Sequence, residues 1–394
     1  MLYTNTDNSL LSKYNELIIT IAQKNPDIIP LTEIKPKPGD VPCKDALVIN
    51  GYELFINKHY DDPDTRGVCI YVKTELNATL VQNSYTDSFK DCVWVNIKDK
   101  NSRNLLIGNI YRSGSPEKAK EHDPNVHEMI KALSTDHIYH EVIITGDFNH
   151  KEIQWVDENN NITTTNNSDA KFVECLDDSY LHQLVEENTR YPHQENQQPS
   201  LLDLILTNDT SLVSDIQYNP HIGGSDHITL NFVVHTSLKA EDDTVNDQLK
   251  FKYYKADIEK MNMIFNINWE EALSGLNAED AYTLFLHKYK EAVAECVPRY
   301  KNFKTSTLPN KPVWMKANTE KLVKTKQHTW VRYLNTKHPE HYDEYKKARN
   351  KVSHAVDKDR KEYEKGIAKE IKTNIKAFWK YVNRRRKIRV IYQT

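Results

Sequence analysis

Short runs of β-branched and aromatic residues recur along the first 235 positions of the chain, and polar turn residues bound each run. Runs of this length and composition predict β-strands. The predicted strands span residues 1–4, 27–33, 46–50, 52–56, 67–72, 92–97, 104–111, 141–145, 201–207 and 228–234. Because the first run begins at the first residue, we expect a strand at the edge of a domain, or a chain that is a piece of a longer one.

Helical periodicity interrupts this series of strands. Residues 13–25 place Leu17 and Ile21 on one face of a helix, and Pro26 is expected to end it. Further helices are predicted at about 124–134 and 169–178. About ten strands interleaved with a few helices favour a layered α/β sandwich over a simple parallel sheet.

The pattern changes after the last of these strands. A polar stretch at 236–250 predicts a linker, and helical periodicity dominates the region 251–394 that follows. Within that region, residues 298–313 are rich in Pro, Lys and Asn and predict an internal linker, and residues 314–387 predict a long, Lys-rich helix. We therefore predict a first domain at 1–235 and a helical, basic connector region at 251–394.

The formal net charge of −3 conceals an uneven distribution of charge. Residues 299–394 contain 27 Lys and Arg against 9 Asp and Glu, whereas residues 1–298 contain 26 against 47. Basic stretches with interleaved aromatics, such as 376–389, can contact phosphates and stack on bases, which would make DNA or RNA a partner of this region. A solvated, Lys-rich helical hairpin with an amphipathic core stripe explains the same composition, so both interpretations stay open.

The cysteines and the apolar runs bear on location. The five cysteines show no CxxC spacing, which is typical of reduced thiols in an intracellular protein and not of a disulfide framework or a zinc site. There is no run of about 18 apolar residues and no signal-peptide pattern, so we expect no membrane partner. The sequence RRRK at 384–387 suits a nuclear signal. We therefore predict an intracellular, nuclear location.

Polar residues end or begin several of the predicted strands, where a rigid scaffold usually places catalytic groups. Each has an ordinary explanation on its own, since Gly-Asp-Xaa-Asn and Ser-Asp-His sequences are common in turns and at strand entries. An aspartate inside an apolar strand is harder to explain, because a buried carboxylate needs a partner. The residues concerned are Asn5, Glu33, Asp147, Asn149, Asp203, Asp226 and His227.

Six motifs, in this order, resemble those of the endonuclease/exonuclease/phosphatase superfamily. They are TN at 4–5, LTE at 31–33, GNIYR at 108–112, GDFN at 146–149, LLDLILT at 201–207 and SDH at 225–227. Within the superfamily, residues 1–235 are most similar to the endonuclease domain of non-LTR retrotransposons, whose reading frame continues into a reverse transcriptase. The resemblance implies a four-layered α/β sandwich, in which two packed mixed β-sheets are flanked by helices, with the C-terminal helical extension added to it.

The resemblance also implies a function. It indicates a metal-dependent endonuclease that nicks DNA by phosphodiester hydrolysis, as the target-site cleavage that primes reverse transcription. Mg²⁺ or Mn²⁺ is the expected cofactor, because both prefer hard oxygen ligands and retained waters. Glu33 corresponds to the family's metal-binding glutamate, and Asn5 and Asp226 are further candidates for the metal site.

The resemblance assigns activation of the attacking water to Asp147 and its orientation to Asn149. His227 would contact the scissile phosphate, while Asp203 would accept the other ring N–H and hold the tautomer. Tyr111 would bind a phosphate oxygen. The candidate contacts to the DNA backbone are Arg112, Thr189 and Arg190.

One position departs from the DNA-repair branch of the superfamily. Gly114 stands three positions after the motif tyrosine, where the repair enzymes have Asn, and this argues against an abasic-site repair enzyme. Nothing after Lys387 is long enough to be a polymerase, so we interpret the chain as a piece or a decayed copy of a longer protein. Two other functions stay open: a phosphatase of the same fold acting on a small ligand such as an inositol phosphate, and a catalytically silent nucleic-acid-binding protein.

Overall fold

The computed structural model of the chain describes most of its residues. They are residues 1–7, 9–36, 44–155, 162–194, 197–236, 255–298, 311–371, 375–376, 378–379 and 390–391. The chain divides into two compact units. The larger unit comprises residues 1–240 and 309–394, and the smaller unit comprises residues 241–308.

The larger unit contains strands interrupted by helices, as the apolar runs and the helical periodicity of the sequence predict. Its strands are β1 (Leu2–Asn5), β2 (Ile28–Thr32), β3 (Tyr52–Ile56), β4 (Cys69–Lys73), β5 (Thr79–Leu80), β6 (Cys92–Lys98), β7 (Asn104–Tyr111), β8 (Tyr139–Asp147), β9 (His182–Gln183), β10 (Asp203–Thr207), β11 (Val213–Asn219), β12 (Thr229–Val234) and β13 (Val390–Ile391). The helices of the chain are α1 (Leu10–Lys24), α2 (Ser84–Ser88), α3 (Pro116–Ser134), α4 (Asn167–Asp178), α5 (Ile258–Phe265), α6 (Trp269–Leu273), α7 (Ala278–Cys296), α8 (Ala317–Thr336) and α9 (Pro339–Glu370). The smaller unit contains α5, α6 and α7.

The strands form two mixed sheets. The first sheet has the order β11-β12-β1-β2-β4-β3-β13, and the second has the order β5-β6-β7-β8-β10-β9. The pairs β1–β2 and β3–β13 are parallel in the first sheet, and the pair β7–β8 is parallel in the second. The chain connects β1 to β2 through α1, and β7 to β8 through α3, because parallel neighbours need a crossover connection.

The two sheets pack face to face through a core that includes Tyr3 and Ile143. Helices α3 and α4 cover the other face of the second sheet, where Met129 and Phe172 join a separate core with its strands. Helix α1 buries Leu17 in the crossover between β1 and β2 and provides the helical layer of the first sheet. The layers therefore run helix, sheet, sheet, helix, which confirms the predicted four-layered sandwich.

The C-terminal residues differ from the predicted organisation. The predicted long helix over 314–387 is a hairpin of two helices, α8 and α9, and Lys337 ends α8 in a left-handed conformation with φ 52°. Trp330 of α8 is fully buried and its indole Nε1 donates to the carbonyl of Tyr218 at 2.8 Å. The hydroxyl of Tyr345 of α9 is 2.7 Å from Nδ1 of His221. These contacts place the hairpin in the larger unit, so the predicted separation of residues 309–394 from the first domain does not match the structure.

Three smaller differences concern local elements. The apolar run at 46–50 is not a strand, because a 3-10 helix spans Lys44–Leu47 and the hydroxyls of Tyr71 and Tyr14 bind the carbonyls of Leu47 and Val48. Helix α3 begins eight residues before the predicted start, with Pro124 inside it. The strands β5, β9 and β11 were not predicted, since two of them have only two residues and the third is largely polar.

Several sequence predictions fall outside the described residues. These are the linker at 236–250 except its first residue, residues 299–310 of the internal linker predicted at 298–313, and the RRRK sequence at 384–387. Among the described residues, no helix has both the length and the apolarity that are needed to cross a membrane.

Candidate active site

The polar residues singled out from the sequence lie at one end of the two sheets because of the strand register. Asn5 ends β1, and its neighbour in the parallel strand β2 is Thr32, which directly precedes Glu33. In the second sheet, Asp147 at the end of β8 is paired with Tyr111 on one side and with Asp203 on the other. The two sheets therefore present their polar strand ends at the same edge of the sandwich.

The side-chain amide of Asn5 connects the two sheets at this edge. Nδ2 of Asn5 donates to Oε1 of Glu33 at 3.0 Å and to Oδ2 of Asp147 at 2.8 Å. The amide oxygen of Asn5 accepts a hydrogen bond from the backbone N–H of Asp7 at 2.7 Å, which orients the amide. Asn5 is fully buried, so its two donor bonds keep two carboxylates close to each other.

Asp147 is buried where β7 and β8 approach closely. The residue before it must be glycine, because a Cβ at Gly146 would lie 2.1 Å from the carbonyl oxygen of Ile110 in β7. Burial raises the pKa of the Asp147 carboxyl well above its ordinary value; Asp203 and Glu33 raise it further, and the positive charge of His227 opposes the rise. One oxygen of this carboxyl, Oδ1, has no hydrogen-bond partner among the described residues.

His227 and Asp203 form a buried pair. Nδ1 of His227 is 2.7 Å from Oδ2 of Asp203. The hydroxyl of Tyr3 donates to the other oxygen of Asp203 at 2.7 Å. Burial lowers the pKa of His227, but the charges of Asp203, Asp147 and Asp226 outweigh it and raise the pKa to about 10. The imidazole is therefore protonated at neutral pH, and Asp203 fixes its orientation.

Glu33 adopts a left-handed backbone conformation with φ 51°, which is uncommon for a residue with a side chain. Its Oε2 accepts a hydrogen bond from Nη2 of Arg66 at 2.9 Å, while Oε1 accepts from Asn5. Arg66 lies three residues before the start of β4, so it reaches the site from the connection between β3 and β4.

Three side chains lie close enough together to hold a metal ion. Ligand atoms of Glu33, Asp147 and His227 all lie within 4.8 Å of one another. The unpaired, buried Oδ1 of Asp147 is costly without a partner, and a cation would satisfy it. His227 is the poorer ligand, because Nδ1 is bonded to Asp203 and the raised pKa keeps the ring protonated. The donor set therefore fits a hard cation held by Glu33 and Asp147.

Two further predicted residues border this cluster. Asn149 is half-buried, adopts φ 53°, and donates from Nδ2 to the carbonyl of Arg112 at 2.8 Å. Tyr111 is also half-buried; burial, followed by the charges of Glu33 and Asp147, raises the pKa of its phenol. Tyr111 is therefore a neutral hydroxyl that can donate a hydrogen bond.

Four of the predicted site residues form hydrogen bonds or ion pairs with other protein groups in place of the contacts to metal or DNA that we expected. Oδ2 of Asp226 accepts from Nε of Arg190 at 2.8 Å, and Oδ1 is 3.6 Å from Nε2 of His227, so Asp226 does not join the three converging ligand residues. Thr189 is fully buried, and its hydroxyl accepts the backbone N–H of Asp203 at 2.9 Å. Thr189 therefore supports Asp203, and full burial is incompatible with the predicted contact to the DNA backbone. The remaining residues of this group are Arg190 and Arg112.

Arg112 is held inside the protein. Its Nε donates to Asp123 at 2.6 Å, and Nη2 donates to the other oxygen of Asp123 at 2.9 Å. Nη1 donates to the carbonyl of Phe148 at 3.1 Å, and the residue is only 5% exposed. The bidentate ion pair joins the end of β7 to α3, and the bond to Phe148 adds the loop after β8, so the guanidinium is not available for the predicted role in phosphate binding.

Sequence reasoning missed two residues of the site, Arg66 and Tyr3. Arg66 precedes an apolar strand, which is the same positional signal that identified Asp226 and His227. Tyr3 stands two positions before Asn5 in β1, so both side chains lie on one face of the strand. Because side chains alternate between the two faces of a strand, the position of Asn5 was sufficient to predict that Tyr3 faces the same site.

We expect that Asp203→Asn lowers the pKa of His227 from about 10, because the charge and the hydrogen bond of Asp203 are the largest of the effects that raise this pKa against burial. A raised pKa stabilises the fold at low pH, and this contribution is lost as the pH rises from about 6.5 through about 10. Stability of the wild-type protein should therefore decline over that window more than stability of the variant. Histidine NMR titration and thermal unfolding of the metal-free protein measure both effects.

The matched control for this experiment is Asp178→Asn, which removes an exposed carboxylate that pairs with Lys131. It should leave the His227 titration unchanged. A His227 pKa that stays near 10 in Asp203→Asn would contradict the assignment of Asp203 as the main partner of the ring.

Comparisons with known proteins add to this geometry. Residues 105–230 match the sequence model of a family described as endonuclease-reverse transcriptase. No curated protein matches the chain. Among solved structures, the chain is similar to the endonuclease domain of TRAS1, a telomere-specific non-LTR retrotransposon, with 15% identity, a TM-score of 0.45, and coverage of 59% of this chain and 97% of that domain.

Two proteins from Bacteroides thetaiotaomicron are also similar. One is an endonuclease/exonuclease/phosphatase family protein, with 16% identity, a TM-score of 0.40, and coverage of 59% of this chain and 96% of that one. The other is a mannosyl-6-phosphatase, with 16% identity, a TM-score of 0.38, and coverage of 59% of this chain and 99% of that one.

Proposed function

We propose that the chain is a metal-dependent endonuclease that nicks DNA, and that residues 105–230, which match the model of the endonuclease-reverse transcriptase family, make it a member of the endonuclease/exonuclease/phosphatase superfamily. The observation that carries the proposal is the convergence of Glu33, Asp147 and His227 within 4.8 Å at the edge where both sheets end. In a non-LTR retrotransposon such a nick would prime reverse transcription at the target site.

Mg²⁺ or Mn²⁺ is the metal that this site would hold, through carboxylate oxygens of Glu33 and Asp147. When bound, such a cation neutralises charge that develops on the phosphoryl oxygens and the leaving group. Asn5 keeps the two carboxylates together by donating to both. Arg66 donates to the other oxygen of Glu33 and limits the repulsion between the two acids.

His227 acts on the phosphate as a cation. Its Nδ1 is bound to Asp203, so Nε2 is the ring nitrogen that is left to donate to a phosphoryl oxygen. Asp203 is itself held by the hydroxyl of Tyr3 and by the backbone bond to Thr189. The histidine therefore binds the phosphate in a fixed orientation and stabilises its negative charge in the transition state.

Asp147 ends β8, and Asn149 lies in the loop that follows it. Asp147 accepts the proton of the attacking water, which its raised pKa favours. Asn149 positions the water or the phosphate, and Tyr111 donates a hydrogen bond to a phosphate oxygen. Asp226 and Arg190 pair with each other beside His227 and contribute to the charge at the rim of the site.

The test is a nicking assay on supercoiled plasmid DNA. With Mg²⁺ we expect conversion to the open circle, and EDTA should abolish it. His227→Ala should lower the rate by about 10²–10³-fold, the usual effect of removing one hydrogen-bond donor that stabilises negative charge in the transition state. A parallel assay of phosphate release from an inositol phosphate should give no activity.

The matched control is His137→Ala, which removes an exposed histidine on the loop before β8. It should nick at the wild-type rate. Nicking by His227→Ala at the wild-type rate would overturn the assignment of the site, and phosphate release without nicking would identify a phosphatase instead.

A further inference from the structure

The outer side of helix α9 carries an uninterrupted row of basic residues. At positions separated by four, three, four, three and four residues, the row follows one side of the helix. We call it the lysine stripe, and it consists of Lys347, Lys351, His354, Lys358, Lys361 and Lys365, all of which are exposed. With a rise of about 1.5 Å per residue it extends over about 27 Å.

The stripe lies on the side of α9 opposite its buried residues. The buried side includes Tyr345, Val352 and Val356, which pack into cores of the larger unit. The stripe therefore faces solvent on the surface of the larger unit. The border residue Glu362 forms its ion pair with Lys316, outside the stripe, and also attracts Lys358 of the stripe electrostatically.

The lysines of the stripe form no ion pair with any residue that the structure describes. Like charges three and four positions apart in a helix destabilise it. The five lysines of the stripe therefore repel one another and destabilise α9. A polyanion bound along the helix would remove this repulsion.

We propose that the lysine stripe binds the phosphate backbone of duplex DNA outside the catalytic cleft. The regular row of point charges, roughly one for each turn of helix, matches a ligand with regularly spaced phosphates. Proteins that bind single strands add aromatic side chains on which bases stack. The stripe has none, because Trp330, Tyr345 and the half-buried tyrosines of the hairpin pack inward. This favours a duplex, whose bases are already stacked.

The hairpin holds the stripe in a fixed place within the larger unit. Nζ of Lys326 in α8 is 2.7 Å from Oε2 of Glu16 in α1, and this ion pair is buried. Ser353 of α9 donates to the other oxygen of the same carboxylate. At the far end of the hairpin, Asp359 of α9 accepts from the hydroxyl of Thr319 of α8 at 2.6 Å. The stripe is therefore pre-formed, and binding costs no ordering of the backbone.

The test measures binding of the full chain to a duplex of about 30 base pairs, by fluorescence polarisation in EDTA between 50 and 200 mM salt, the range over which such binding is sensitive to salt. The main variant replaces all five lysines of the stripe by Gln. Each phosphate contact contributes about 0.9 to the slope of log affinity against log salt, so we expect the slope to fall by up to about 4.5. Affinity at the lower salt concentrations should fall by about tenfold or more.

A matched pair of double variants separates position from net charge. K351Q/K358Q removes two charges from the stripe, and K98Q/K100Q removes two exposed charges from the turn between β6 and β7. That turn is at the end of β7 opposite Tyr111, so it is remote from the site. Only K351Q/K358Q should reduce the salt slope, by about 2.

An unchanged salt slope in the five-lysine variant would overturn the proposal. Stripe-dependent binding that is tighter for duplex RNA or for single-stranded DNA than for duplex DNA would overturn the choice of ligand. Thermal unfolding should show that the five-lysine variant is folded and at least as stable as the wild type, because the replacement removes like-charge repulsion. Because binding is measured without metal, the result is independent of whether the chain nicks DNA.

Discussion

Asp147→Asn should abolish nicking and, in the same protein, increase resistance to unfolding. We expect the nicking rate to fall by about 10²–10⁴-fold, because an amide can neither accept the proton of the attacking water nor bind a cation as a carboxylate does. Without metal, the same change should raise the free energy of unfolding by about 1 kcal/mol or more at neutral pH, as is often found when a buried charged group is replaced by a neutral one of similar volume.

The gain in stability follows from the surroundings of this carboxylate. Asp147 is 1% exposed, its Oδ1 has no partner among the described residues, and Glu33 and Asp203 place two more negative charges beside it. Its pKa in the folded protein is raised, so stability of the wild type is highest when the carboxyl is protonated and falls as the pH rises from about 4 toward the folded-state pKa. The difference between variant and wild type should be absent near pH 4 and grow with pH.

Plasmid nicking and thermal unfolding with EDTA across pH measure the two effects. Asp177→Asn is the matched control, since Asp177 is exposed on α4 and the same chemical change there should alter neither activity nor stability. A destabilised Asp147→Asn variant would show that the carboxylate is a structural ion-pair partner and not a group kept under strain for catalysis.

The positions of the site residues could be predicted because each stands at the end of a strand with a clear pattern. Glu33, Asp147 and His227 are polar residues directly after or before apolar runs, and the register of a mixed sheet then brings such positions to one edge. The need for glycine at position 146 has a non-local reason, the close approach of Ile110 in β7. For Glu33, Asp147 and His227, local pattern and tertiary position agree.

The partners of these residues could not be predicted in the same way. The hydrogen bond between Asn5 and Asp147 joins residues of two different sheets that are 142 positions apart in the sequence. Only the packing of the sheets decides which amide contacts which carboxylate. Arg112 had the residue type of a phosphate ligand, but Asp123 of α3 is its partner. Asp226 had the type of a metal ligand, but Arg190 neutralises it.

The docking of the C-terminal hairpin was also beyond the local pattern. A Lys-rich amphipathic helix is compatible with a free connector, and its aromatic residues are compatible with base stacking. The contact between Trp330 and Tyr218 spans 112 positions and buries a surface that the strand pattern of β11 did not reveal. Composition therefore indicated the charge of this region correctly, whereas its place in the fold depended on non-local packing.

Trp330→Ala should produce the largest loss of stability that a single side chain of the hairpin can cause. The side chain of Trp330 is fully buried, with 0% relative exposure. Its ring packs against the rings of Tyr191, His221 and Tyr345 at centroid distances of 5.3, 5.1 and 4.8 Å. Truncation of a buried tryptophan costs about 3–5 kcal/mol, and the lost bond from Nε1 leaves the carbonyl of Tyr218 unpaired. Thermal or urea unfolding measures the loss.

The same substitution should also reduce nicking under conditions where the protein remains folded. Tyr191, which packs edge-on against Trp330, donates its backbone N–H to the carbonyl of Asp226 at 2.7 Å, directly beside His227. The hairpin thus supports the segment that carries His227, so a cavity at Trp330 loosens that segment. Trp379→Ala is the matched control, because Trp379 is 47% exposed and its truncation should change stability by no more than about 0.5 kcal/mol. If Trp330→Ala unfolds like the control and nicks at the wild-type rate, the hairpin is not part of the folded unit that holds the site.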